Sequence, residues 1–221
     1  MFDTPLRKFK DKVGNPLARR LSRVSPTTVS LLGLVIALLA AWCAYRQIYF
    51  AAFALWILNR VLDGLDGLLA RMHNKQSDFG GYVDILTDFV AYAALPIGLV
   101  AGSPSSERYL ALAFMLASFY INTASWMYLA ALLEKRALHG NDTQTSIVMP
   151  AGLIGGFETI IAFSIFTLFP AYITLLYSIF GILVFFTIFQ RLIWAKKTSH
   201  RKYLKISNYQ LLFTSQLKPD P

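Results

Sequence analysis

Long apolar runs set the strongest limit on what this chain can become. Six are read, at about Thr27–Arg46, Tyr49–Arg71, Phe79–Ala101, Tyr109–Leu133, Ser146–Phe169 and Tyr172–Ala195. Each is long enough to cross about 30 Å of hydrocarbon as an α-helix. The last two are joined only by a tight turn near Pro170, where proline breaks a helix. Composition agrees: 56% of the 221 residues are hydrophobic and 15% are charged, against about 25% charged in soluble domains. The expected fold is all-α, a polytopic membrane protein with six transmembrane helices.

Basic residues orient these helices. In a soluble chain a net charge of +9 would point to nucleic acid. Here the charge lies beside apolar spans, which favours anionic membrane lipids, and no nucleic acid partner is expected. Arg7, Lys8, Lys10, Lys12, Arg19, Arg20 and Arg23 precede the first run, and Arg71 and Lys75 follow the second. Lys135 and Arg136 follow the fourth, and Lys196, Lys197, Arg201, Lys202 and Lys205 follow the sixth. The opposite boundaries carry only Arg46 and Arg108. The positive-inside rule therefore puts both termini in the cytoplasm. Residues 1–25 are expected to form a cytoplasmic juxtamembrane segment, 26–196 the six-helix transmembrane domain and 197–221 a cytoplasmic tail. Within the first segment, Leu6, Phe9, Val13, Leu17 and Leu21 recur near helical spacing between basic residues. That pattern predicts an interfacial amphipathic helix, broken at Gly14, Asn15 and Pro16, with an unstructured basic tail as the alternative. No signal peptide is read there. Cys43 has no partner for an intramolecular disulfide and reads as a packing residue.

Against this apolar background the segment LDGLDGLLAR…GGYVDILTD is anomalous. Asp63 and Asp66 are three apart in the second run, and Asp84 and Asp88 are four apart in the third. Both spacings place side chains on one helical face. The polar loop MHNKQSD makes the two helices antiparallel neighbours. Asp63 lies about 12 Å along the axis from Arg71, and Asp88 a similar ~12 Å from Gly80. Both pairs can then meet at one depth, a little below the inner membrane surface. Four carboxylates in close quarters repel, and Arg60 and Arg71 are too few to neutralise them. Divalent cations resolve this, and oxygen-only ligands select hard ions such as Mg²⁺ or Mn²⁺. Gly64, Gly67, Gly80 and Gly81 leave room for close approach of a ligand, and Arg71 offers a planar cation suited to phosphate. Carboxylates inside a membrane also mark proton or cation pathways, so transport stays open at this point.

The order Asp63-x2-Asp66-Gly67-x2-Ala70-Arg71-x8-Gly80-x3-Asp84-x3-Asp88 resembles the complete signature of the CDP-alcohol phosphotransferase family. The resemblance covers roughly residues 1–200 and is strongest from Asn59 to Pro96. It implies that Asp63, Asp66, Asp84 and Asp88 hold two metal ions and that Asp88 also serves as general base. It further implies that Gly67, Ala70, Arg71, Ser77 and Gly80 line a cytidine diphosphate site. The start of the first run, SPTTVS, is similar to the family's helix start, so Ser25, Pro26, Thr27 and Thr28 would contact the nucleotide. Thr27 stands where Asn or Asp is common and Ser30 where Thr is common. The same residues also read as a plain Ser-Pro helix start with an N-cap. The implied activity is transfer of a phosphatidyl group from CDP-diacylglycerol to an alcohol, with release of CMP. The reversed partnership, a soluble CDP-alcohol donating to diacylglycerol, is the enzymatic alternative. The family resemblance also suggests a homodimer.

The acceptor is read less directly. Asn122, Ser125 and Trp126 lie in the fourth run and Glu158 in the fifth. Glu158 either binds a hydroxyl-rich or cationic acceptor, or pairs with Arg191 or a backbone group. His73, His139 and His200 read as surface residues. SIVMPAGLIGG, where the fifth run begins, carries no basic residue, which argues against a phosphorylated acceptor. GLIGGFET is similar to a branch of bacterial inner-membrane members of the family. A bacterial inner membrane, with the active site facing the cytoplasm, is the expected location.

Overall fold

The computed structural model describes Leu21, residues 24–138 and residues 152–216. The expected interfacial helix and its break at Gly14–Pro16 lie outside the described residues. Among the described residues the chain is entirely helical: α1 Pro26–Tyr45, α2 Tyr49–Met72, α3 Asp78–Gly102, α4 Ser106–Leu138, α5 Gly156–Leu168 and α6 Ile173–Gln216. A single 3₁₀ turn, Pro170–Tyr172, separates α5 from α6, where the proline break was expected. Among the described residues, four stretches are long and apolar enough to cross a membrane: Pro26–Tyr45, Asp78–Gly102, Ser106–Lys135 and Pro170–Lys197. Helix α2 has the length, but Arg60, Asp63, Asp66 and Arg71 interrupt its apolar character. At 13 residues, α5 is apolar but short.

The fifth run needs correction. A helix was expected from Ser146, yet residues 152–155 are not helical and α5 begins only at Gly156. Hydropathy cannot separate apolar coil from apolar helix, whereas Gly152, Gly155 and Gly156 weaken helical continuation. Instead, Gly155 caps α5 in an extended conformation (φ −113°, ψ −166°), and Glu158 Oε2 accepts a 3.0 Å hydrogen bond from Gly155 N. Glu158 therefore sits in the first turn, holding a backbone group, not deep in the run. Helix α6 runs on past Lys197 into the tail, to Gln216.

The chain divides into two compact units, Met1–Ala117 with Ile154–Gly181, and Ser118–Leu153 with Ile182–Pro221. In the first, α1, α2 and α3 pack closely. Proline at the first position starts α1, with Ser25 extended before it (φ −75°, ψ 135°) but making no side-chain cap bond. Gln47 turns the chain into α2 at φ 60°, and its Nε2 donates to Gly102 O. Asn74, at φ 52°, makes the next reversal, in a left-handed conformation that Asn tolerates. Ser77 then caps α3 by accepting from Gly80 N at 3.0 Å. Gly98 and Gly102 bring α3 onto α1: a Cβ at either would strike the backbone of Ala41 or of Ala44 and Tyr45. Small residues four apart permit this approach in membrane helices. Trp56, Phe163, Phe166, Tyr177 and Phe180 form an aromatic core, with Trp56 stacked on Phe163 at 5.2 Å. Outward positions of α1 are as apolar as inward ones, Leu31, Leu32, Val35, Leu38 and Leu39 all being exposed. A helix apolar all round suits lipid rather than water.

In the second unit, Arg191 is buried and Nη1 donates to Asn122 O at 3.2 Å and Asn122 Oδ1 at 2.9 Å. Gln190 Oε1 accepts from Leu153 N at 3.0 Å. Of the readings open for Glu158, the backbone partner is the one observed, at Gly155 N.

Candidate metal and nucleotide site

The α2–α3 hairpin places the aspartates as their spacing requires. Asp63, Asp66 and Asp84 each present a carboxylate oxygen, and these atoms lie within 4.8 Å of one another. Asp66 is buried, and Ser30 Oγ on α1 donates to its Oδ2 at 2.6 Å. Ser30 thereby orients an oxygen that faces the cluster. Its role was not evident in the sequence, although its position one turn into α1 was the available signal. Asp88 stands apart from this trio. Its Oδ1 accepts from Arg60 Nη2 at 2.9 Å, while Arg60 Nη1 lies 3.9 Å from Asp63 Oδ2. Three carboxylate oxygens thus converge, while the fourth carboxylate, Asp88, is held by an arginine and lines the same cleft. This small cleft of about 10 Å³, lined by Ser30, Asp63, Asp66, Asp84 and Asp88 among others, lies at their centre. That is near the minimum for one water-sized species.

A larger cavity of about 370 Å³ adjoins the trio. Pro26, Thr27, Gly67, Ala70, Arg71, Ser77 and Gly80 line it, together with Ser30, Asp66, Asp84, Lys75, Gln76, Asp78 and Gly81. Seven of the nine residues expected at the nucleotide are therefore brought together. Ser25 and Thr28 are not: both are exposed and neither lines the cavity. The turn explains this, since Ser25 precedes the helix and Thr28 points away from the face that carries Thr27 and Ser30. The glycines have separate uses here. A Cβ on Gly67 would lie 3.2 Å from Arg71 Nη1, so Gly67 leaves room for that guanidinium. A Cβ on Gly80 would lie 2.9 Å from Ser77 Oγ and 3.7 Å from Thr27 Oγ1. Gly81 faces open space. Lys75 Nζ donates to Val24 O at 3.2 Å, tying the α2–α3 loop to the start of α1. The first turn of α3 opens on the cavity, and the positive end of the helix dipole favours anionic groups there.

Three hard-oxygen donors converging beside a polar cavity with two basic side chains fit a divalent cation and a phosphate-bearing ligand. They lie among helices of which α1 and α3 are long and apolar enough to cross a membrane. The class so defined is an integral membrane protein with metal and phosphate chemistry at one helix hairpin. The chain belongs to the CDP-alcohol phosphatidyltransferase family, whose profile matches residues 23–196. It is therefore a transferase of phospholipid biosynthesis. It is 36% identical over 173 residues to the inner membrane protein YnjF of Escherichia coli, covering 78% of this chain and 82% of that one. Its fold is similar to that of Mycobacterium tuberculosis phosphatidylinositol phosphate synthase. With CDP-DAG bound, that structure gives a TM-score of 0.60 at 18% identity over 82% of this chain and 92% of that chain. The manganese and citrate complex gives 0.63 at 21% identity over 81% and 87%.

Proposed function

We propose that the protein transfers the phosphatidyl group of CDP-diacylglycerol to an alcohol and releases CMP. The observation that carries this reading is the convergence of Asp63, Asp66 and Asp84 at the edge of the cavity lined by Thr27, Gly67, Arg71 and Gly80. CDP-DAG and manganese, named for the mycobacterial structures, belong to the same chemical classes. Six membrane crossings, with both termini and the site on the cytoplasmic side, complete the reading, and the enzyme works as a homodimer. Residues 26–196 form the catalytic domain.

Asp63, Asp66, Asp84 and the free oxygen of Asp88 hold two Mg²⁺ or Mn²⁺ ions. Bound there, the ions supply Lewis-acid neutralisation of the pyrophosphate. Arg71 pairs with phosphate oxygens through its planar fork, and the first turn of α3 donates backbone N–H groups to them. The cytidine lies against Gly67, Ala70 and Gly80, which themselves carry no side chain larger than a methyl group. Asp88 accepts the proton of the acceptor hydroxyl. That oxygen forms a bond to the phosphorus bearing the diacylglycerol, and the bond from this phosphorus to the bridging oxygen breaks. CMP departs with the bridging oxygen, and Asp88 returns its proton to solvent. The acyl chains stay in the bilayer throughout.

Purified protein in nanodiscs, given CDP-diacylglycerol, Mn²⁺ and a panel of alcohols, is expected to release CMP with a subset of acceptors only. Release of CMP only when a soluble CDP-alcohol is paired with diacylglycerol would reverse the partnership. No release in either arrangement would reject the reading.

A further inference from the structure

Arg60 is a fixed cation in the wall of the aspartate cluster. It is 4% exposed and lines neither cavity. Its guanidinium lies against the rings of Trp56 and Tyr92, with Cζ 4.8 Å from each centroid. Nε and Nη2 donate to Asn59 Oδ1 at 2.8 and 2.5 Å, and Nη1 donates to Tyr92 OH at 2.9 Å. Asn59 is itself anchored, Nδ2 donating to Gly33 O at 2.9 Å. Rings and edge partners together leave the guanidinium one position. From there Nη2 reaches Asp88 Oδ1 at 2.9 Å.

We propose that Arg60 is the positioning residue for Asp88, gripping Oδ1 so that Oδ2 is the oxygen turned to the metal site and the reacting hydroxyl. The inference rests on the transferase reading given above. Arg60 cannot touch a ligand in either cavity, so it acts through the carboxylate it holds. A planar fork can bond Asn59, Tyr92 and Asp88 at once; an ammonium on a flexible stem cannot. The same charge also opposes cation binding, because it stands 3.9 Å from Asp63 Oδ2 and repels a divalent ion at the trio. Arg60 thus favours turnover while weakening metal affinity. A residue that merely supported the fold would move both in the same direction.

The test pairs Arg60→Met with Arg60→Lys in nanodiscs and reads two quantities. One is Mn²⁺ affinity without substrate, by electron paramagnetic resonance. The other is CMP release, resolved into kcat and KM. In Arg60→Met, kcat is expected to fall about 100-fold from lost orientation, while Mn²⁺ binds about tenfold tighter through removal of the opposing charge. In Arg60→Lys the charge remains, so Mn²⁺ affinity stays within about twofold of the parent and kcat still falls at least tenfold. Activity and affinity lost together, affinity unchanged in Arg60→Met, or an unchanged kcat would each overturn the proposal. If Arg60→Met fails to fold, Arg60→Lys decides alone: a lower kcat with parental affinity supports the proposal, and any other result overturns it. Parent protein that binds Mn²⁺ but releases no CMP would instead defeat the transferase reading, leaving the affinity shift measurable.

Discussion

The two ends of the α1–α3 pair use glycine in opposite ways. Toward the end of α3, Gly98 and Gly102 are taken up by protein: a Cβ there would enter the backbone of α1. At its start, Gly81 faces open space and Gly80 meets only the Ser77 and Thr27 hydroxyls, beside a cavity of about 370 Å³. Closure at one end fixes the angle and register of α3 on α1. Openness at the other end, with the same two helices, leaves Thr27 and Ser30 facing Asp84 across room for a ligand. Packing density is thus distributed along one helix pair, and chemistry occupies the end where packing is withheld.

The comparison breaks most completely at the trio. Asp84→Asn removes a charged donor at the open end without touching the closed one. CMP release is expected to fall by about three orders of magnitude or more, since that donor serves metal and pyrophosphate together. Mn²⁺ affinity should fall with it while thermal stability in EDTA is retained. Chelation of the parent protein should give the same loss of activity, restored on adding Mg²⁺ or Mn²⁺. Asp88→Asn is expected to lower kcat about 10²–10⁴-fold through loss of the base, with nucleotide binding near the parental level. Near-normal turnover would refute that assignment.

At the closed end, Gly98→Val should act on stability first. Overpacking against the Ala41 backbone is expected to cost roughly 2–3 kcal/mol, read as a lower denaturation midpoint in detergent. Activity per folded molecule should fall less than in Asp84→Asn. The smallest and sharpest contrast is Gly81→Ala. Nothing lies within 4 Å of its Cβ, so stability should be unchanged or higher by up to about 1 kcal/mol from helix propensity. The KM for CDP-diacylglycerol should rise a few-fold because the methyl group enters ligand space. A stability loss as large as that of Gly98→Val would show that the open end is packed after all.

These contrasts also mark what was legible in the sequence. The spacing of Asp63, Asp66 and Asp84, with a short loop between the helices, was enough to bring three carboxylates together. Local periodicity dictates that arrangement. The grip of Arg60 on Asp88 was not legible, because it depends on where Arg60 is clamped. That position is set by Trp56 and Tyr92, two rings from different helices. Ser30 was read only as a position of the helix-start motif; its bond to Asp66, 36 residues away, was not legible for the same reason. Helix boundaries were read closely where polar residues punctuate them, as at Ser77. They were misread at Gly155, where apolar coil and apolar helix share one hydropathy. The Gly98–Gly102 spacing was visible, but only the backbone of Ala41 and Tyr45 gives it meaning.

The central claim is that the aspartate trio and the adjoining cavity form a single metal-dependent CDP site. Calorimetric titration of CDP into the nanodisc-embedded protein tests it directly, with Mn²⁺, with EDTA, and with Asp66→Asn. The account predicts binding at least about tenfold tighter in Mn²⁺ than in EDTA, a step of about 1.4 kcal/mol, and no such difference in Asp66→Asn. Equal CDP affinity with and without the metal, or a metal effect that survives in Asp66→Asn, would contradict it.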